Sequence, residues 1–406
     1  MSASSDLSFD EKTAVERLMR FLAVEGITGQ EKAIAREVAR ELESAGVPRR
    51  AIRHDRAHER IPVPTQTGNL LVDLPGTRPG PRLLFATHLD TVPLCAGAVP
   101  VRASKDRITA QGATALGGDN RTGVACLVTL AETLLKNKLP HPPLTLLFTV
   151  REESGLYGAR HLEPADLGGP VMGFNVDGRL AAELTVGAVG AERWEVEIIG
   201  RASHAGVHPE KGISATMVAA LALAEVQRGG WFGKVRQPDG EGTSNVGRFA
   251  GRDGKSAGEA TNVVTDYVHI RGESRSHDAR FARAITRAYR TAFSNAAGQV
   301  TDDRGRKAKV KFTSQLDYHP FRLKEDSAVV RHAKEAARRA GLQPSLRVGN
   351  GGLDANWLVR HGIPTVTFGA GQNNIHTIEE YVDVPMFLAG CRMALALATT
   401  PSERGA

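Results

Sequence analysis

"LTLLFTVREESG", residues 144–155, is a run of apolar, β-prone residues that stops on two adjacent carboxylates, Glu152 and Glu153, followed by Ser and Gly. A strand that is apolar at every position is buried on both faces, which places it in a sheet covered by helices on each side. Side chains on a strand alternate faces, so two neighbouring glutamates cannot serve one target in the same way. Taken alone, an acidic pair at a strand end reads as a solvated loop. The ends of the other strands decide whether that reading stands.

Similar runs recur at "NLLVDL" (69–74), "RLLFAT" (82–87), "VMGFNV" (171–176) and "PTVTFGA" (364–370), and "NRTGVACLVTLAETLLKNK" (120–138) reads as a helix between two of them. This alternation predicts an α/β fold whose sheet is covered by helices on both faces. Upstream, the pattern is helical from about residue 9. Thr28 and Glu31 form a capping-box signature, and Ile34, Val38 and Leu42 then share one face of a helix ending near Gly46.

Residues 190–320 have another rhythm: strand 193–200, helix 213–227, strands 243–251 and 262–274, helix 278–297 and strand 308–318. That order, βαββαβ, is a ferredoxin-like α+β unit. It predicts an inserted domain at 190–320, with the first domain built from 1–189 and 321–406. The helix at 327–341 then leads back to the strand at 364–370.

A chain of 406 residues is too long for one ordinary core, and 41% hydrophobic with 24% charged residues describes a globular protein. The net charge of +7 is spread among interleaved acids, and the densest basic stretch, "RGRKAK" (304–309), has no aromatic residue within it. A nucleic-acid partner is not expected. The three cysteines, Cys95, Cys126 and Cys391, are far apart and in no metal-binding spacing, which fits a reducing compartment. The N-terminus has no basic region followed by an apolar core, and no window nears the roughly 18 apolar residues of a membrane span. The expectation is a cytoplasmic protein without a membrane partner.

Chemistry gathers at the carboxyl ends of the apolar runs. His88 and Asp90 follow "RLLFAT", Glu152 and Glu153 follow "LTLLFTV", Asp177 follows "VMGFNV", a short loop after "PTVTFGAG" delivers His376, and Asp119 in "GGDN" begins the helix near 120. Open α/β sheets bind ligands in the crevice beyond those ends. Each residue has an ordinary alternative: Asp119 as a helix N-cap, Asp177 with Gly178 as a turn, His376 as a loop residue. Turn chemistry does not explain why all of them face one crevice, and so many carboxylates would repel one another without a cation. A catalytic zinc takes three protein ligands and leaves a position open. Five candidates therefore suit two ions if Asp119 bridges them, one held by His88, Asp119 and Asp177, the other by Asp119, Glu153 and His376. Asp90 then accepts the second ring N–H of His88. Glu152, pointing away from its neighbour, is free to take a proton from an activated water, an arrangement suited to amide hydrolysis.

The motifs "HLDTVP", "GGDN", "REESG", "NVDG" and "HTIEE", in this order, resemble those of the dinuclear zinc peptidases that include peptidase T, carnosinase, aminoacylase and the glutamate carboxypeptidases. The chain is most similar to the peptidase T branch through "GRASHAGVHPEKGISA" (200–215), "TNVVTD" (261–266), "RGESRSHD" (271–278) and "GGLDAN" (351–356). The resemblance implies a zinc-peptidase catalytic domain with a mixed sheet covered by helices, an inserted lid and dimerisation domain, a homodimer, and two zinc ions, with cobalt or manganese as alternatives. It gives His204 the role of stabilising the tetrahedral oxyanion, often in the partner subunit's site. Arg275 and Asn262 match positions that grip the substrate's carboxylate or backbone, although Arg275 reads equally as an ion pair with Asp278. Asn356 either contacts substrate or caps the helix "ANWLVRHG". Asp177 stands where many carboxypeptidases and acylases of the family have Glu, which favours cleavage at a free amino terminus. Asn120 departs from the acidic residue often found there, which bears on subsite charge. The implied activity is that of a tripeptidase-like aminopeptidase on short peptides. An N-acyl amino acid hydrolase, a carboxypeptidase and a non-catalytic peptide-binding relative are the alternatives.

Overall fold

The structure, a computed structural model, describes residues 7–401. The chain divides into two compact units, one formed by residues up to Ala188 together with those from Arg322 onward, the other by Val189–Phe321. Among the described residues no helix is long and apolar enough to cross a membrane.

The first unit is organised by a mixed sheet. From one edge its strands run Ile52–His54, Leu70–Leu74, Leu144–Thr149, Leu83–His88, Met172–Val176, Thr365–Phe368 and Glu183–Ala188, and Ser345–Gly349 also pairs with the last of these. The four central strands, Leu144–Thr149 to Thr365–Phe368, are mutually parallel, and every residue in them is buried. Their uniform apolarity follows from covering on both faces. Leu83 and Phe85 enter a large core with residues of the helices Gly118–Lys136 and Val384–Thr399. Leu84 and Ala86, pointing the other way, pack with Leu358 and Ile363. Helix Gly118–Lys136 comes very close to the sheet: a Cβ on Gly123 would lie 2.2 Å from the Thr87 hydroxyl, so glycine is required at that contact.

Two features depart from expectation. The Thr28–Glu31 capping box does not form. The helix spans Lys32–Ser44, Thr28 bonds the Ser154 hydroxyl, and the buried Glu31 carboxylate accepts from the backbone N–H of Gly29 (2.6 Å) and of Arg151 (3.1 Å). A small antiparallel sheet, in the order Gln372–Asn373, Tyr381–Asp383, Arg107–Gln111 and Val99–Ser104, was not expected. Its strands are two to six residues long, and those that are not buried carry polar residues without a clean period, so no pattern marks them.

The second unit is a five-stranded antiparallel sheet in the order Gly233–Gln237, Gly240–Ala250, Tyr267–Ser276, Gly190–Ile199 and Lys309–Tyr318, with helices Ala215–Arg228 and Ala279–Gln299. Trp194, Val196 and Ile198 alternate into its core, where the Trp194 ring lies 4.4 Å from that of Tyr289. The βαββαβ order holds with one strand added, Gly233–Gln237, whose one buried residue, Val235, gives too little pattern to read. The strand expected at 262–274 begins only at Tyr267.

Candidate metal centre

The parallel arrangement brings the ends of the central strands to one edge of the first unit. His88 closes its strand, Asp177 directly follows Met172–Val176, and the acidic pair follows Leu144–Thr149 after a turn in which Arg151 adopts a left-handed φ of 53°. His376 also has a left-handed φ, 63°, and sits in the loop between the short strands Gln372–Asn373 and Tyr381–Asp383. The unexpected small sheet thus positions the second imidazole. Asp119 lies at the start of helix Gly118–Lys136 with non-helical angles, and the Asp119–Asn120 peptide bond is cis.

Asp119 is the centre of the cluster. Its Oδ1 lies 3.1 Å from His88 Nε2 and its Oδ2 lies 3.4 Å from His376 Nε2. Glu153 lies 2.9 Å from the same His376 nitrogen. Ligating atoms of His88, Asp119 and Glu153 lie within 4.8 Å of one another, as do those of His88, Glu152 and Asp177. The two glutamates that open the sequence question therefore have different neighbours, although the second grouping brings Glu152 beside Asp177, where the sequence reading had put Asp119.

The contact expected of the Asp90 side chain with His88 is shared with the Asp90 backbone carbonyl. His88 Nδ1 lies 3.0 Å from the backbone carbonyl of Asp90 and 3.5 Å from its carboxylate. The carboxylate also accepts from the backbone N–H of Glu152 (3.0 Å) and of Glu153 (3.1 Å). A rigid carbonyl directs the ring, and the Asp90 side chain aims the acidic pair. With Nδ1–H engaged, the Nε2 lone pair of His88 is directed at the site, as a metal ligand requires.

The electrostatics are those of a site built for positive charge. Burial, and then the charges of Asp177, Glu153 and Asp354, push the Glu152 carboxyl well above the ordinary range, with His88 acting against them. Burial and the neighbouring Asp119 charge raise Glu153 and Asp177 to about 7 each. Burial would also raise Asp119, but hydrogen bonds from His376 and His88 outweigh it and hold this carboxyl far below its usual value. The same contacts with Asp119 and Glu153 lift His376 to about 10. Crowded carboxylates that retain protons, set among imidazoles, are the donor set a divalent cation would relieve, so the residues fit one or two such ions.

Several supporting residues were not read from the sequence. Gln372 donates to Asp177 Oδ1 at 3.0 Å. Arg121, 2% exposed, donates to the carbonyls of Leu89 and Val24 beneath the site. Asp354, raised to about 6 by burial, accepts from the Thr149 hydroxyl. Glu380 accepts three backbone N–H groups in the Leu116–Asp119 turn. Nothing in "HTIEE" marks Glu380: the doublet Glu379–Glu380 has one exposed and one buried member, which the residue types do not distinguish.

The remaining candidates resolve as follows. Asn356 is buried, and its Oδ1 accepts from the Leu353 N–H at 2.9 Å, capping the helix Asp354–Arg360. In the second unit, the Ala205 N–H donates to the Asn262 carbonyl at 2.8 Å and His204 bridges Val263, so His204 and Asn262 are brought side by side. His204 is exposed, and its Nδ1 accepts from the N–H of Gly206 and of Val207, both at 3.1 Å, which leaves the neutral ring with its proton on Nε2. Arg275 does not pair with Asp278. It chelates Glu273 at 2.9 and 3.0 Å, while Asp278 caps its helix through the Arg280 N–H at 2.7 Å. Residues two apart on a strand share a face, which makes Glu273 the natural partner.

The family model for peptidase family M20/M25/M40 matches residues 84–400, from the first ligand-bearing strand to the end of the last helix. The chain is 31% identical to the uncharacterized protein YqjE of Bacillus subtilis over 390 residues, covering 96% of this chain and 98% of that one. Among solved structures it is similar to the aminopeptidase PepT from Bacillus cereus, with a TM-score of 0.81, 30% identity and coverage of 96% and 98%. It is also similar to a tripeptidase from Staphylococcus aureus, with a TM-score of 0.84, 26% identity and the same coverage. With the family's span embracing every strand that ends at the metal centre, the chain belongs to peptidase family M20/M25/M40.

Proposed function

We propose that the protein is a dizinc aminopeptidase that removes residues from the free amino terminus of short peptides, tripeptides among them. The observation that carries this reading is Asp119, whose two oxygens face two imidazoles while Glu152 is grouped apart from His376. His88, Asp119 and Asp177 would hold one ion and Asp119, Glu153 and His376 the other, with zinc as the expected metal and cobalt or manganese as substitutes. When bound, the ions lower the pKa of a water and polarise the scissile carbonyl. Glu152 accepts the proton released by that water and returns it to the leaving amine. Its burial and its acidic neighbours raise this carboxyl above the ordinary range, which makes its ionised form a stronger acceptor for that water's proton.

His204, with its proton on Nε2, supplies an N–H donor for the tetrahedral oxyanion, and Arg275 and Asn262 recognise the peptide's carboxylate or backbone. Homodimerisation through the inserted unit and residence in the cytoplasm complete the proposal. The names of the similar proteins, an aminopeptidase and a tripeptidase, support the peptide reading. An N-acyl amino acid hydrolase or a carboxypeptidase would use the same centre. Assaying a tripeptide with a free amino terminus against its N-acetylated form, with and without chelator, tests the choice. The proposal expects metal-dependent cleavage of the free peptide alone, and preference for the blocked one would overturn it.

A further inference from the structure

We propose that Glu380 is a positioning residue that locks the turn carrying Asp119 to the loop carrying His376, so that the ion site shared by those two ligands depends on it. The inference rests on the two-ion reading above. Glu380 is 2% exposed and stands four positions after His376 in the same loop. Its Oε2 accepts the backbone N–H of Leu116 and of Gly117, both at 2.8 Å, and its Oε1 accepts the N–H of Asp119 at 3.0 Å. Three amides converging on one carboxylate form a concave anion nest. Gly117 makes the nest possible with a left-handed φ of 83°, and a Cβ there would also press on Thr91 at 3.1 Å.

The two halves of the metal centre are not held equally. His88 and Asp177 sit at the ends of buried central strands, which fix them through the sheet. His376 projects from a loop with its side chain 46% exposed, tethered by two strand pairs, Gln372 with Val382 and Asn373 with Tyr381. Asp119 lies beyond a glycine pair. Among the described residues, the Glu380 carboxylate ties its own loop to the Leu116–Asp119 backbone, and its three hydrogen bonds there all go to backbone N–H groups. The simpler alternative is that it only caps the helix Gly118–Lys136. In that case its loss would lower stability and leave both ions alike.

Glu380→Gln separates these possibilities, because a glutamine must turn its NH2 toward either the Asp119 amide or the Leu116–Gly117 pair, setting donor against donor. Full-length wild type and variant, stripped of metal, are titrated with zinc by calorimetry and with cobalt(II) while its visible absorption is followed. Gly117→Ala is run alongside, since it disturbs the same nest from the other side and keeps the glutamate. The expected result is an unchanged first equivalent and a second weakened by roughly 10- to 100-fold, with an altered spectrum only for the second cobalt. Two equivalents bound as in wild type by both variants would overturn the proposal, as would equal weakening of both equivalents. A wild-type protein that takes up a single equivalent would remove the two-ion reading itself, and this inference with it.

Discussion

Stripped of metal, the first unit should be less stable at pH 8 than at pH 5. Glu153 and Asp177 are buried beside Asp119 and pushed to about 7 from their ordinary 4.5 and 3.8. A carboxyl raised by folding contributes stability that is whole below its ordinary pKa and is lost as pH rises through the folded one. For Glu153, with a side chain 5% exposed, the move from 4.5 to about 7 corresponds to roughly 3 kcal/mol. Asp177 adds less than its separate share, because both respond to the same Asp119 charge and to each other. His376, held up to about 10, acts in the same direction at higher pH. Asp119, held low by its imidazoles, acts oppositely, but its contribution fails only below the ordinary carboxylate range, outside this window. A loss of about 3 kcal/mol lowers the midpoint of a unit this size by roughly 6–12 °C. Differential scanning calorimetry of metal-free protein at pH 5, 6, 7 and 8 and constant ionic strength measures it. Saturating zinc, which binds the ionised carboxylates, should flatten the trend and raise the midpoint most at pH 8. A metal-free midpoint that climbs from pH 5 to pH 8 would show that these groups do not repel as described.

Four substitutions probe individual roles. Glu152→Gln should keep the wild-type metal content by elemental analysis and lose turnover by roughly 10²- to 10⁴-fold, whereas Glu153→Gln should lose metal; identical behaviour would end the division of labour between them. Asp354→Asn removes one of the negative neighbours that hold Glu152 up, so the acid limb of the kcat/KM profile should move to lower pH, and an unmoved limb counts against that coupling. Asn356→Ala should cost about 1 kcal/mol in urea unfolding, from loss of the cap, with KM unchanged; a marked rise in KM at wild-type stability would restore a substrate role.

The groups that meet at this edge were legible because a cation site restricts side-chain type. A cation requires imidazole or carboxylate, and strands buried on both faces are nearly uniform in apolarity, so His88, Glu152, Glu153 and Asp177 each mark the point where such a run ends. What aims the ligands was hidden, because its partner is the backbone. Asp90 meets the expected imidazole at 3.5 Å, but it also holds the amides of residues 152 and 153, which nothing in the sequence marks. Glu31 was assigned to its own helix and is recruited by the amide of Arg151, 120 residues away. Every residue but proline offers such an amide, so no side-chain type at the far end of the bond marks it. Asp90, Glu31 and Glu380 thus share one logic, in which an acid whose sequence position suggests a ligand or a cap turns inward to fix a turn. In sites of this kind, an acidic residue near a ligand motif has two readings, cation or amide, and burial against consecutive N–H groups decides between them. By that criterion Glu380 belongs with Asp90 among the groups that shape the site, and Glu153 with those that fill it.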